Sequence, residues 1–413
     1  MNGIVERRIL YWGDAPSAGT GFGVVARHVL RALRDAGYEI DCLATNAAPD
    51  FPDPAAFPYR IVPLAGSPHD PFGARTFVRI VASARPYDLV LVQNDLQATH
   101  PAAGYLRIMR ERGERVPPLV FYFPVDCSVR RDLAGLLEFA DVAVTCTRYG
   151  RDEVRRTFPD RACAVIPHGV DCRAFRPLDE RGAARDRFRE ANGLPLDTLV
   201  ACAVAANSVR KDLARALAAF ARLRAAVTAP TAFYLHTVPV ANGLDLNAAA
   251  AACGLTVGRD VIFPRAYHPL QPFSDAAMNE LYNACDVYFT TTLGEGWGLP
   301  VTEAMAAGLP VVAPRHTSLA ELGADGRAIL YECPEQIWVD NAGYRPLGLM
   351  DDIVAALARG LSLSGEARER MVDCARTYAS SLDWSVVAPR WAALADELCA
   401  AHPKPHPRSP AAL

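Results

Sequence analysis

The strongest constraint on the fold is an alternation that runs, stops and starts again. Ile9-Leu10-Tyr11-Trp12 reads as a strand, and Val24, Val25, Val29, Leu30 and Leu33 then recur at helical spacing up to Gly37. Further apolar runs stand at residues 40–43, 89–92, 119–123 and 142–144. Near-continuous apolar runs between helices indicate a parallel sheet buried on both faces. Around Pro167 the pattern breaks, and residues 171–198 are rich in charge, Pro and Gly, as a linker with one short helix would be. Alternation resumes with residues 199–204, a helix over 212–227, strands at 232–235 and 287–290, and mostly helix over 350–399. The fold class expected is α/β, with two facing, Rossmann-like, doubly wound domains over residues 1–166 and 199–380, a linker over 167–198 between them, a C-terminal helix over 381–400 and a disordered tail over 401–413. Ligands in such folds lie at the C-terminal ends of the strands, here in the cleft between the domains.

Composition removes other classes. The net charge of −3 leaves no global basic field for nucleic acid or an anionic membrane. No uncharged apolar run approaches the roughly eighteen residues of a membrane helix, and the start, MNGIVERRILYWGD, lacks the apolar core of a signal peptide. The 11 cysteines form no C-x-x-C pair and no Cys/His cluster, which fits reduced thiols and a cytoplasmic location better than a disulfide framework or a zinc site.

The chemistry concentrates in residues 290–310, TTTLGEGWGLPVTEAMAAGLP. A strand ends near Thr292, a Gly-rich loop follows, Pro300 suits the first turn of a helix, and Gly308-Leu309-Pro310 stops it. The glycines let backbone amides approach a ligand, and the helix start favours an anion. Glu295 and Glu303 lie eight positions apart and can face one cleft, where carboxylates accept hydroxyls of a sugar or ribose. Taken singly, Glu303 is also an ordinary first-turn acid and Glu295 an ordinary loop acid. One further count matters: of 43 basic residues only Lys211 and Lys404 are lysines, and Lys404 lies in the Pro-rich tail.

As a whole the string resembles the E-x7-E signature of retaining nucleotide-sugar glycosyltransferases of the GT-B fold, the glycogen-synthase-like group known as glycosyl transferases group 1. The resemblance implies that Glu303 binds the ribose hydroxyls, while Glu295 and the amides of Gly296, Trp297, Gly298 and Leu299 hold the donor sugar. VIPHGVD at 165–171, followed by Phe175 and Pro177, resembles the family's crossing between domains and puts His168 on the cleft; SLDW at 381–384 resembles the start of the helix that returns to the first domain. The family uses an arginine and a lysine five positions apart against the diphosphate. Lys211 fits the lysine, but Ala206 stands at the arginine position, so Arg210, or Asn207 through hydrogen bonding, becomes the substitute; an incidental charged helix start is the alternative.

Three more segments enter on the same footing. Gly19-Thr20-Gly21-Phe22-Gly23 is G-x-G-x-G, short of a dinucleotide fingerprint, and Asp41, the acid a dinucleotide would need, sits mid-strand. The resemblance implies that this loop closes over the diphosphate or the acceptor with the Gly21 and Phe22 amides; a structural turn is the alternative. Asp126 follows residues 122–125 where many relatives carry a histidine on the donor sugar; it would orient the acceptor hydroxyl or act as a base, or merely cap a helix, and Asn94 and Asp95 hold a comparable place. The nine histidines make no metal set, His236 and His316 read as structural, and no D-x-D follows a strand, so no metal is expected.

The implied activity is transfer of a sugar from a nucleoside diphosphate sugar, UDP- or GDP-linked, to an acceptor hydroxyl, with retention and without metal or bound cofactor. The acceptor would be a small molecule, a glycan or a lipid-linked species. Arg107, Arg110, Arg112 and Arg115 near Leu106 and Met109 suggest peripheral membrane contact, against the reading of a solvated helix face. Rival readings are a nucleotide-sugar epimerase or hydrolase on the same fold, a pyridoxal-phosphate phosphorylase, for which only Lys211 could form the Schiff base, and a non-catalytic nucleotide- or glycan-binding protein.

Overall fold

The computed structural model describes residues 7–47, 57–64, 66–67, 69–83, 87–267, 273–339 and 343–402. The first sheet comprises β1 (Arg8–Asp14), β2 (Glu39–Thr45), β3 (Arg60–Pro63), β4 (Leu89–Gln93), β5 (Leu119–Phe123), β6 (Val142–Thr145) and β7 (Cys163–Val165), in the order β3-β2-β1-β4-β5-β6-β7. All pairs are parallel; Ile9 aligns with Ile40 on one side and with Leu89 on the other. The strand order reverses at β1/β4, which opens a crevice at the C-terminal strand ends. Around this sheet lie α1 (Gly21–Asp35), α2 (Ala74–Val81), α3 (Leu96–Glu111), α4 (Gly135–Phe139) and α5 (Arg148–Thr157). Helix α1 forms because Val25, Ala26, Val29, Leu30 and Leu33 recur on one buried stripe, and the Thr20 side chain accepts from the Gly23 amide at 3.0 Å.

The chain then enters the second unit through α6 (Arg181–Ala191). Residues 171–198 are bound in rather than strung between domains. Arg189 is fully buried, donating to the Thr198 carbonyl at 2.7 Å and to Asp286 at 2.9 Å, and Arg181 donates to the Gly308 carbonyl at 3.2 Å. A charge-rich composition therefore hides a packed helix whose arginines satisfy backbone carbonyls. The sheet contains β8 (Leu199–Val204) and β9 (Thr231–His236), and a short hairpin of β10 (Val240–Ala241) and β11 (Leu244–Asp245) stands beside it. It continues with β12 (Val261–Ile262), β13 (Val287–Phe289), β14 (Val311–Pro314) and β15 (Ile329–Tyr331). Its order is β12-β9-β8-β13-β14-β15, again parallel. Helices α7 (Leu213–Ala226), α8 (Leu246–Ala252), α9 (Asp275–Ala284), α10 (Leu299–Ala306) and α11 (Thr317–Leu322) connect these strands. A second antiparallel hairpin, β16 (Glu335–Val339) with β17 (Gly343–Leu347), follows, with no counterpart in the sequence reading.

Helices α12 (Met350–Ser362), α13 (Gly365–Ser381) and α14 (Trp384–Ala401) end the described chain. Helix α14 starts where Asp383 caps the Ser385 amide at 2.8 Å, and it packs back on the first domain. The Tyr38 hydroxyl donates to Asp396 at 2.7 Å, Trp391 meets Tyr122 edge-on at 4.6 Å, and Trp384 stacks on His28 at 4.5 Å. The outgoing and returning crossings pair with one another: the Val170 amide donates to the Leu382 carbonyl at 3.0 Å and the Trp384 amide to the Val170 carbonyl at 3.2 Å. Gly169 is required there, because a Cβ would enter the Trp384 ring.

From residue 403 the tail lies outside the described residues. The architecture is the expected pair of Rossmann-like domains with a helical C-terminal segment. No described helix is long and apolar enough to cross a membrane. Among the arginines considered for membrane contact, Arg107 pairs with Glu138 at 3.1 Å, and Arg110 pairs with Asp141 at 3.0 Å while its guanidinium lies 3.9 Å from the Phe139 ring centre. Those two charges are thereby used within the protein.

Candidate active site

A cleft of about 880 Å³ lies between the sheets. Its floor is the Gly-rich loop after β13. A Cβ on Gly294 would collide with the Asp126 carbonyl, one on Gly296 with the Pro124 ring, and Gly298 sits at φ +104°. The glycines thus serve domain contact as well as ligand approach. The loop is braced from α11: the Glu295 amide donates to the Thr317 hydroxyl at 3.1 Å, and the Ser318 hydroxyl donates to the Trp297 carbonyl at 2.6 Å. His316, expected to be structural, places Nε2 3.1 Å from the Thr292 carbonyl, and burial lowers its pKa to about 4.

Glu295 is the hub. Its Oε1 lies 2.5 Å from Lys211 Nζ, and its Oε2 accepts from Arg210 Nη1 at 3.1 Å. Burial works to raise its pKa, but Lys211 and Arg210 outweigh that and hold it at about 2. Burial lowers the Lys211 pKa, with Glu295 opposing. Arg210 also reaches the first domain, with Nε 3.3 Å from Asp126 Oδ2. On the far side, Arg345 from β17 donates from Nη1 to the Asp126 carbonyl at 2.8 Å and from Nη2 to Oδ1 at 3.2 Å. Lys211, Glu295, Arg210, Asp126 and Arg345 therefore form a chain of alternating charge across the two domains, with three cations to two carboxylates.

Glu303 lines the same cleft from the first turns of α10. Burial pushes its carboxyl up to about 7, although Oε2 accepts from the Tyr282 hydroxyl at 2.7 Å, which opposes the shift; Asp275 adds to it. Opposite, Gly21 and Phe22 begin α1, where the first amides have no partner within the helix. The α1 start is pinned by Asp14, which accepts from the Thr20 hydroxyl at 2.5 Å and from the Thr45 hydroxyl at 2.8 Å.

Of the residues singled out in sequence, the cleft gathers Glu295, Lys211, Arg210, Asp126 and Glu303; residues 296–299; Gly21 and Phe22; and His168. Burial lowers the His168 pKa to about 3, so the ring is neutral; its Nδ1 and Trp297 Nε1 have no hydrogen-bond partner among the described residues. Asn207 is the exception. It is not part of the cleft wall; its amide nitrogen lies 3.3 Å from the Val238 carbonyl, 3.2 Å from that of Pro239 and 3.3 Å from that of Leu244, and donates to these. It ties down the β10–β11 hairpin, which corrects its expected role toward the donor. Arg345 and Asp14 were missed. Arg345 lies 219 positions along the chain from Asp126, and no sequence signal pointed to it.

Residues 19–174 match the family model described as Glycosyltransferase Family 4, and residues 198–341 that described as Glycosyl transferases group 1. A D-inositol 3-phosphate glycosyltransferase of Stackebrandtia nassauensis is 33% identical over 183 residues, 43% of this chain and 38% of that protein. An MMP alpha-(1->4)-mannosyltransferase of Mycolicibacterium hassiacum is 28% identical over 237 residues, 57% of this chain and 48% of the relative. The chain thus spans less than half the length of these relatives. Two solved structures share the fold over nearly the whole chain. Sucrose-phosphate synthase from Thermosynechococcus elongatus has a TM-score of 0.73 at 17% identity, covering 96% of this chain and 100% of that one. Anabaena HepE in complex with UDP and glucose has a TM-score of 0.69 at 16% identity, covering 95% and 100%.

Proposed function

From a GT-B fold whose two halves each match a glycosyltransferase family model, we propose that this chain moves a sugar from a nucleoside diphosphate sugar to an acceptor hydroxyl, with retention at the anomeric carbon and without a metal. The observation that carries the reading is Glu295 held between Lys211 and Arg210 beside the start of α10, with Glu303 on the same cleft. In this reading Glu303 accepts from the ribose hydroxyls, and Glu295 with the amides of residues 296–299 orients the sugar. Lys211, Arg210 and the α1 amides meet the charge that develops on the diphosphate. The bond from the anomeric carbon to the β-phosphate oxygen breaks. The acceptor oxygen bonds to the same face, and its proton passes to the departing phosphate. Asp126 orients the acceptor hydroxyl. Contact between the domains excludes water, which would otherwise hydrolyse the donor.

The test is calorimetry with UDP, GDP, ADP and dTDP on wild type and Glu303→Ala. One diphosphate is expected to bind, at least tenfold more weakly to the variant. With its sugar conjugate as donor, NMR of the product is expected to show the donor's anomeric configuration. Failure of all four to bind, or an inverted product, overturns the reading.

A further inference from the structure

Asp95 stands at the C-terminal end of β4, next to the end of β5 that carries Asp126, and its side chain lines the cleft. It occupies the cap position of α3, yet its carboxylate caps nothing. Its backbone amide is satisfied by the Asn94 side chain at 2.8 Å, but among the described residues the carboxylate has no hydrogen-bond partner. Burial, then Asp126, raises its pKa to about 6, with Arg210 opposing and Asp14 adding. A half-buried carboxylate left in this state costs the fold stability. An asparagine of the same shape would carry a smaller cost, because an uncharged amide loses less hydration than a carboxylate. Trp297 and His168 line the same cleft, and their Nε1 and Nδ1 atoms, both shielded from solvent, have no hydrogen-bond partner among the described residues. The cleft thus holds an unmet acceptor in Asp95, which a ligand hydroxyl would satisfy.

We infer that Asp95 accepts a hydrogen bond from a hydroxyl of the acceptor, and that the part of the acceptor lying against β4 and β5 is an uncharged polyol and not a phosphate. The inference rests on the transfer reading for the word acceptor, but not for the hydroxyl. The wall there carries two carboxylates, Asp95 and Asp126, and Arg210, the cation that acts on Asp95, is shared with Asp126 and Glu295. A phosphate would face Asp95 across repulsion, whereas a hydroxyl would satisfy it.

The experiment uses the full chain, Asp95→Asn and Asp95→Ala, in thermal melts at pH 8. Glucose, mannose, myo-inositol and glycerol are the probes, each alone and with the diphosphate found by calorimetry. A residue kept for a ligand is expected to leave the unliganded Asp95→Asn protein at least as stable as wild type. At least one polyol should raise the wild-type melting temperature and fail to raise that of either variant, while diphosphate affinity stays within about twofold. Loss of stability in Asp95→Asn would mark a structural residue and overturn the inference. So would a polyol shift that survives both substitutions, a wild type that no polyol protects, or diphosphate affinity that falls with Asp95. Failure of every diphosphate to bind wild type would strike the transfer reading instead, and the polyol melts would still decide the role of Asp95.

Discussion

Arg345 and Asp126, 219 positions apart, bind one another across the domain boundary through two contacts, guanidinium to backbone carbonyl at 2.8 Å and guanidinium to carboxylate at 3.2 Å. The arginine side chain is only 5% exposed and the aspartate 30%. Asp126 is thereby fixed in the position from which it holds Arg210. Arg345→Ala is expected to release both, weakening diphosphate binding about tenfold, with Arg345→Lys intermediate. In a double-mutant cycle with Asp126→Ala, the two losses should fall short of additivity by about 1 kcal/mol. Additive losses measured by calorimetry would break the link.

Glu295 pairs with Lys211 and Arg210, the two cations proposed to meet the phosphate. Glu295→Gln frees them, so diphosphate affinity is expected to stay level or rise while turnover falls by about 10² or more. Lys211→Met should do the reverse to affinity, weakening it strongly. Weaker diphosphate binding in Glu295→Gln would show that the carboxylate, and not the cations, sets the affinity.

The raised carboxyl of Glu303 predicts a pH signature. Its ordinary value is 4.5 and its folded value about 7. Between these limits the unfolded chain has released its proton and the folded protein has kept it, so this group costs stability progressively as pH rises from about 4.5 to 7, and no further above. Glu303→Gln is expected to gain melting temperature relative to wild type across that window, by a few degrees at pH 7.5. Glu295, held near 2, acts oppositely: its contribution is complete above about 4.5 and is lost as pH falls toward 2. Equal pH slopes for wild type and Glu303→Gln would refute the assignment.

Gly294→Ala and Gly296→Ala place a methyl against Asp126 backbone and the Pro124 ring. Overpacking of this kind costs about 1–3 kcal/mol. Because the collision is between domains, turnover is expected to fall much more than the circular dichroism signal. Unchanged kinetics in both variants would mean that the domains need not meet at this loop for catalysis.

How much of this was legible depended on the physics behind each signal. The inner strands of both sheets are buried on two faces, so residues such as 89–92 and 199–204 had to be apolar throughout and could be read directly. Glu295 and Glu303 stood out only because the whole string of residues 290–310 resembles a family signature; taken singly each was also an ordinary acid, and the structure places both on one cleft. Arg189 misled in the opposite direction, since a buried arginine satisfied by carbonyls has the composition of a linker. The hairpin of residues 335–347 was silent because β16 is largely exposed and offers no apolar alternation. Asn207 was misassigned because an amide near a strand end can turn toward ligand or hairpin, and only three-dimensional placement chooses.

Helix α14 has a consequence for the order of events during synthesis. The surface formed by Tyr38, His28 and Tyr122 is fully built within the first 166 residues, but its cover arrives with Trp384 and Trp391. While the second domain is being made, the first emerges from the ribosome with an uncovered aromatic patch, and it is completed only when the last helix comes back. The first domain therefore cannot cover that patch with its own residues, and its completion waits on Trp384, Trp391 and Asp396.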